Sequence, residues 1–242
     1  MTPPKSVHVV IDLSHVQYGV RDFLMEEWAG APALHQFIER VKEARLVETI
    51  GLHHCWQDLH DQILAIARKN YCSCYLNKET HLFHAIDKIA QVQQADGILL
   101  LSATCPLIDP GIVDRCISIF LDHSTAFDFI SNGIINSFPA GNTVSLVNTN
   151  TLKTIMHNIS NWRRFSGFND FFNSHADYYA IHHLEWEYQT PYINDIRWNV
   201  TQPEDVAFLK QIFETLHAFK PNFGIHDVLK LLMYRPDLKL SV

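Results

Sequence analysis

Leu99–Pro110, reading LLLSATCPLIDP, compresses a strand, a polar turn and a helix start into one short stretch, and no other feature constrains the fold of this chain so tightly. Leu99–Leu101 is an apolar run of the length that an interior parallel strand has. Asp109 followed by Pro110 reads as an N-cap with proline at the first helical position. In an open α/β sheet the loop after such a strand lies at the carboxyl edge, where ligands bind.

The same alternation runs along most of the chain and predicts a largely parallel sheet covered by helices on both faces. Strands are expected at 7–13, 49–53, 71–76 and 99–101. Helices are expected from about Pro32, with Leu34, Phe37, Ile38, Val41 and Ala44 inward; from Asp58 as a cap, with Leu59, Ile63, Ile66 and Ala67; from Thr80 as a cap, with Phe83, Ile86, Ile89 and Ala90; and from Pro110, with Ile112, Val113, Cys116, Ile119 and Phe120. Beyond these the alternation loosens. Strands are read at 126–130, 143–147, 180–188 and 195–200, a short helix around Leu152–Ile159, and an aromatic helix and loop from Phe165 to Tyr179. A helix begins at Pro203 with Glu204 and Asp205 in its first turn, burying Val206, Leu209, Ile212, Phe213 and Leu216, and Ile225–Tyr234 closes the chain as a helical tail.

A length of 242 residues, 47% of them hydrophobic, suits one domain with a large core. The net charge of -7, with no run of Lys and Arg, argues against nucleic acid as a partner. Membrane insertion is not expected either, since no apolar stretch reaches the roughly 18 residues that a spanning helix needs. The start MTPPKSVHVVIDL lacks a signal-peptide layout. Five cysteines, at 55, 72, 74, 105 and 116, sit mostly in apolar patterns and predict reduced thiols in a cytoplasmic protein.

The segments AGAPALHQFIERVKEARLVETI, TCPLIDPGIVDRCISIFL, SFPAG, TPYI and TQPEDVAFLKQIFETL together, in this order and spacing, resemble the cytidylyltransferases that activate sugar acids and the sugars of spore coats and surface polysaccharides. The resemblance spans nearly the whole chain. It implies a three-layer, Rossmann-like nucleotide-diphospho-sugar transferase fold, a mostly parallel mixed sheet with a C-terminal helical tail. It also implies a single domain over 1–242, in which 134–198 forms a substrate-side and dimerisation insertion.

Where that family carries its chemistry, this sequence departs from it. Family members have a first loop like ARMGSTRLPGK, whose cations hold the triphosphate of CTP while charge grows on the transferring phosphate. Here the segment is DLSHVQYGVRDFLMEEWAG. Between Ser6 and Ala31 its one fixed cation, Arg21, faces Asp12, Asp22, Glu26 and Glu27. The two magnesium-holding aspartates of the family correspond to Thr104 and Thr201, and magnesium favours carboxylate and phosphate oxygens over neutral hydroxyls. A sugar-contacting segment like GLDVE is replaced by Gly141–Ser145. A segment like DREHVTPY keeps acids at Glu185 and Glu187 but loses its Arg and His.

The expectation is a cytidylyltransferase-like protein of surface-polysaccharide or sugar-acid metabolism that binds or scaffolds without catalysis, as a homodimer or paired with an active relative. No cofactor is expected, and magnesium only if activity survives. The alternatives are an active CTP-dependent enzyme making a CMP-sugar, and a metal-independent glycosyltransferase, the chain having no Asp-x-Asp. A nucleotide or sugar ligand would be met by Asp12, Ser14, His15, Arg21, Ser102, Thr104, Asn132, Gly141, Glu185, Glu187 and Thr201. The histidine doublets at 53–54 and 182–183 are not expected to hold zinc, because adjacent strand residues face opposite ways. Cys72 and Cys74 share a face and read as packing. The aromatics Trp162, Phe165, Phe168, Phe171, Phe172, Tyr178 and Tyr179 are read equally as interface or core.

Overall fold

Val7–Asp12 (β1) is buried along its whole length, and its side chains divide by parity: Val9 and Ile11 enter one core, Val10 the other. A strand apolar on both faces must be covered on both sides, which fixes a three-layer architecture. The computed structural model describes residues 5–77, 81–123, 126–135, 137–159, 161–186 and 198–238.

After β1 the chain makes a 3₁₀ turn, Arg21–Met25, and a small antiparallel hairpin, Glu27–Trp28 (β2) with Ala31–Pro32 (β3). Ala29 and Gly30 both take positive φ, 46° and 85°, as a two-residue type I′ turn requires. No strand is expected here from the sequence, and Ala in the first turn position is not a hairpin signal. The helix Ala33–Lys42 (α1) follows, then Thr49–His54 (β4), His60–Lys69 (α2), Ser73–Leu76 (β5), Leu82–Gln93 (α3), Gly97–Ser102 (β6) and Pro110–His123 (α4).

Next come Phe129–Ser131 (β7), Val144–Asn148 (β8), Thr149–Asn158 (α5), Phe168–Ser174 (α6), Ile181–His183 (β9), Pro203–His217 (α7) and Ile225–Tyr234 (α8). The described strands of the main sheet lie in the order β5-β4-β1-β6-β8-β7-β9. β8 runs antiparallel to both its neighbours, and the other pairings are parallel. This is the expected α/β architecture, mostly parallel and mixed. Among the described residues no helix is long and apolar enough to cross a membrane.

Several expected boundaries move, each for a local reason. Asp58 does not cap α2: its carboxylate pairs with Arg21, and the helix begins after Leu59 with no side-chain cap. Tyr71 has φ 56° and sits in the turn that leaves α2, so β5 starts at Ser73 rather than at position 71. The strand expected at 180–188 is only Ile181–His183. Trp198–Val200 is not strand, and Thr80, Glu187 and 195–197 lie outside the described residues.

The aromatic segment resolves toward core. Trp162, Phe165, Phe168, Phe171 and Phe172 are buried with Phe83 and Phe129 beneath α3 and α5. Phe129 stacks on Phe172 with centroids 4.2 Å apart, and Tyr178 alone of the seven stands in solvent.

Asp109 does cap α4, accepting the Gly111 amide at 2.7 Å through Oδ1. Its other oxygen accepts the Ile225 amide at 2.7 Å, so one carboxylate starts both α4 and the tail helix α8. Close by, buried Arg40 of α1 donates to the carbonyls of Ile108 (2.8 Å) and Phe223 (3.0 Å) and lies 3.8 Å over the Phe223 ring.

Candidate functional site

The parallel register brings Asp12, His53 and Ser102 level at the carboxyl ends of β1, β4 and β6. Like parity puts their side chains on one face, the face that carries α3, α5 and α6. Asp12 is 3% exposed, and its two oxygens take four hydrogen bonds. Oδ1 accepts Ser14 Oγ at 2.7 Å, the Ser14 amide at 3.1 Å and His53 Nδ1 at 2.8 Å, while Oδ2 accepts His15 Nδ1 at 2.5 Å.

Burial alone would raise the Asp12 carboxyl, but the hydrogen bonds and charges of His15 and His53 outweigh it and hold it well below the usual carboxylate range. The same bond raises His15 above the ordinary histidine value, against the opposing effect of its burial and with help from the Asp12 charge and the Ser166 backbone. His15 keeps 51% of its side chain exposed and, when protonated, turns a positive charge toward solvent. Nε2 of His53 is buried and has no hydrogen-bond partner.

The other expected ligand residues divide. Ser102 Oγ and Thr104 Oγ1 bond each other at 2.8 Å, and the Thr104 carbonyl accepts the Val200 amide at 2.7 Å, which brings Thr201 to the same edge. Thr201 Oγ1 donates to Asp205 at 2.7 Å, and that buried carboxylate also takes the amides of Thr201 and Gln202. Both hydroxyls are thus engaged within the fold, and Oδ2 of the acid beside them takes three hydrogen bonds. A magnesium ion needs several free oxygen donors, so these residues do not fit one.

Arg21 is buried in a bidentate pair with Asp58 and lies 4.0 Å from the Tyr18 ring centroid, its guanidinium turned to these partners rather than to a ligand. Asn132 is an internal clamp, donating to the Asn142 carbonyl at 2.7 Å and accepting the Val144 amide at 2.9 Å. Gly141 is there for its backbone: φ is 99°, and a Cβ would lie 2.5 Å from the Trp198 carbonyl oxygen. Glu185 is exposed, with its carbonyl on Arg115 at 3.1 Å.

Asp12, Ser14 and His15 therefore form one network, with Ser102, Thr104 and Thr201 along its edge, while Arg21, Asn132 and Gly141 serve the fold. His53 was missed as a member. The available signal was register, since an acid ending one parallel strand and a histidine ending its neighbour meet whenever the two strands pair in step.

No family model matches the sequence, and no curated protein does. Solved structures do. A cytidylyltransferase from Leptospira borgpetersenii serovar Hardjo-bovis superposes with a TM-score of 0.87 at 17% identity, over 98% of this chain and 99% of that one. A CMP:2-keto-3-deoxy-manno-octonic acid synthetase complexed with CTP gives 0.63 at 10% identity, over 87% and 99%. The 4-diphosphocytidyl-2C-methyl-D-erythritol synthase of Anaerococcus prevotii gives 0.58 at 12%, over 86% and 96%. The chain has a cytidylyltransferase-type fold, and at these identities the likeness speaks for the fold alone.

Proposed function

We propose that this chain is a cytidylyltransferase-like protein of surface-polysaccharide or sugar-acid metabolism that binds an anionic ligand, a nucleotide or a sugar acid, and does not transfer CMP. The reading rests on one observation: the Asp12 carboxylate at the carboxyl edge is wholly taken up by Ser14, His15 and His53. Nucleotidyl transfer needs cations on the triphosphate and acids on a metal at this edge. Here Arg21 is held by Asp58 and the hydroxyls of Thr104 and Thr201 are held by Ser102 and Asp205. His15 remains as the exposed cation for an anionic group. Apart from Arg21, which Asp58 holds, the charged residues of its loop are acids, so binding is weak and depends on its protonation.

Pyrophosphate release with CTP, magnesium and a panel of sugar acids tests the reading, and turnover at ordinary enzyme rates, about 1 per second or faster, would overturn it in favour of an active CMP-sugar synthetase. Calorimetry with CTP should show affinity unchanged by EDTA, falling as pH rises through the raised His15 value, and lost in His15→Ala. Light scattering of the chain alone, and mixed with an active cytidylyltransferase from the same cell, tests the pairing that a non-catalytic copy would serve.

A further inference from the structure

His54 follows His53 in β4 and so faces the opposite side of the sheet, where α2 packs. There Nε2 of His54 lies 3.2 Å from Nδ1 of His60, the first residue of α2, and 3.7 Å from Sγ of Cys74 in β5. All three ligand atoms fall within 4.8 Å of one another. The two imidazole rings are nearly parallel, 21° apart with centroids 5.3 Å from each other. One hydrogen bond between the rings would account for the shorter edge, but not for a sulfur closing on the same nitrogen.

Tetrahedral geometry accounts for both edges. Metal–nitrogen bonds of about 2.0–2.1 Å and a metal–sulfur bond of about 2.3 Å give ligand separations of about 3.3 Å between nitrogens and about 3.6 Å between nitrogen and sulfur. The observed 3.2 and 3.7 Å match these edges. The donor set, two imidazoles and a thiol, belongs to borderline-soft divalent ions and not to magnesium or calcium. The scaffold is rigid, because β4 and β5 pair in register, Leu52 opposite Cys74 and His54 opposite Leu76, which places positions 54 and 74 on one face. His54 is fully buried while His60 and Cys74 are half-buried, so an ion has a way in and an outward coordination position.

We propose that His54, His60 and Cys74 bind one divalent ion of the zinc class, with the fourth position left to solvent or an external ligand. The ion ties β4, β5 and the start of α2 together from the face opposite the Asp12 network, so this site stands or falls separately from the proposed function. In the sequence neither histidine doublet offers two ligands to one ion, and Cys72 and Cys74 have no further ligands at zinc spacing. The partners of His54 come from two other elements, at a spacing no zinc motif carries.

The test is titration of the reduced, metal-stripped protein with Co²⁺, followed by competition with Zn²⁺. The expected result is saturation at one equivalent, with the visible bands of tetrahedral cobalt and a near-ultraviolet thiolate-to-metal band, both erased by Zn²⁺. Cys74→Ser should remove the thiolate band. Cys74→Ser and His60→Gln should each weaken binding beyond the about 10–100-fold that outer-shell changes cost. Cys72→Ser serves as the control, since that thiol lies against the Asn70 carbonyl at 3.5 Å and should leave the titration unchanged. Circular dichroism of each variant separates lost ligation from lost fold. Binding that fails to saturate at one equivalent, or that survives both ligand substitutions in folded protein, would overturn the proposal.

Discussion

His53 and His54 are neighbours in β4 with opposite surroundings. The first meets a buried carboxylate, which accepts a hydrogen bond from its Nδ1 at 2.8 Å. The second meets another imidazole and a thiol. On the Asp12 face a charge is neutralised inside the protein, so each partner is needed by the others. The His54 cluster is two imidazoles and a thiol with no acid among the three, so no ion pair is broken when a member is exchanged. A single strand end thus carries one cluster that its own acid completes and one that is open to a guest.

Substitutions should make this contrast measurable. The largest effect is expected for Asp12→Ala, which leaves His15, His53 and Ser14 without their acceptor. Removing one partner from a buried charged network costs about 3–5 kcal/mol, readable as a fall in the urea midpoint. Next comes His53→Leu, which deletes a hydrogen bond to an ionised group and should cost about 1.5–3 kcal/mol. His54→Leu in metal-free protein should cost less than about 1.5 kcal/mol, because volume is nearly kept and the bond lost, from its Nε2 to His60, involves no carboxylate. Equal losses for the two leucine variants would break the contrast.

A smaller effect is expected from pH. The depressed Asp12 contributes stability above its ordinary value of 3.8 and loses it as pH falls below. The raised His15 contributes below its ordinary value of 6.5 and loses it as pH rises through the higher folded value. The stability difference between wild type and His15→Ala should therefore be greatest between these two values and shrink on either side. A difference that grows steadily into alkaline solution would contradict the pairing. The smallest expected effect is Ser14→Ala, about 1 kcal/mol for one hydrogen bond, again from denaturant midpoints.

The frame was legible in the sequence because helix faces and caps are local: Ile225–Tyr234, Phe83 with Ile86 and Ile89, and the Asp109–Pro110 helix start are all written within a few residues. The cytidylyltransferase-like arrangement was legible for the same reason, through the order of such segments. The candidate site was only half legible. Asp12, Ser14 and His15 lie together in the chain and were found together. His53 and the engagement of Arg21 by Asp58 depend on strands and turns meeting across the sheet edge, a fact of register that no local pattern records. Thr104 and Thr201 stood out through what they replace, while the bonds that occupy their hydroxyls needed the folded chain.

The shared carboxylate of Asp109 makes the start of α8 a keystone for the turn that carries Thr104. Gly224 passes so near that a Cβ there would lie 2.7 Å from Asp109 Oδ2, and Arg40 fastens both Ile108 and Phe223 from below. A chain cut before Gly224 would forfeit more than α8. The turn after β6 would lose the bond between Asp109 and Ile225 at the same stroke, so the tail helix and that turn hold each other in place.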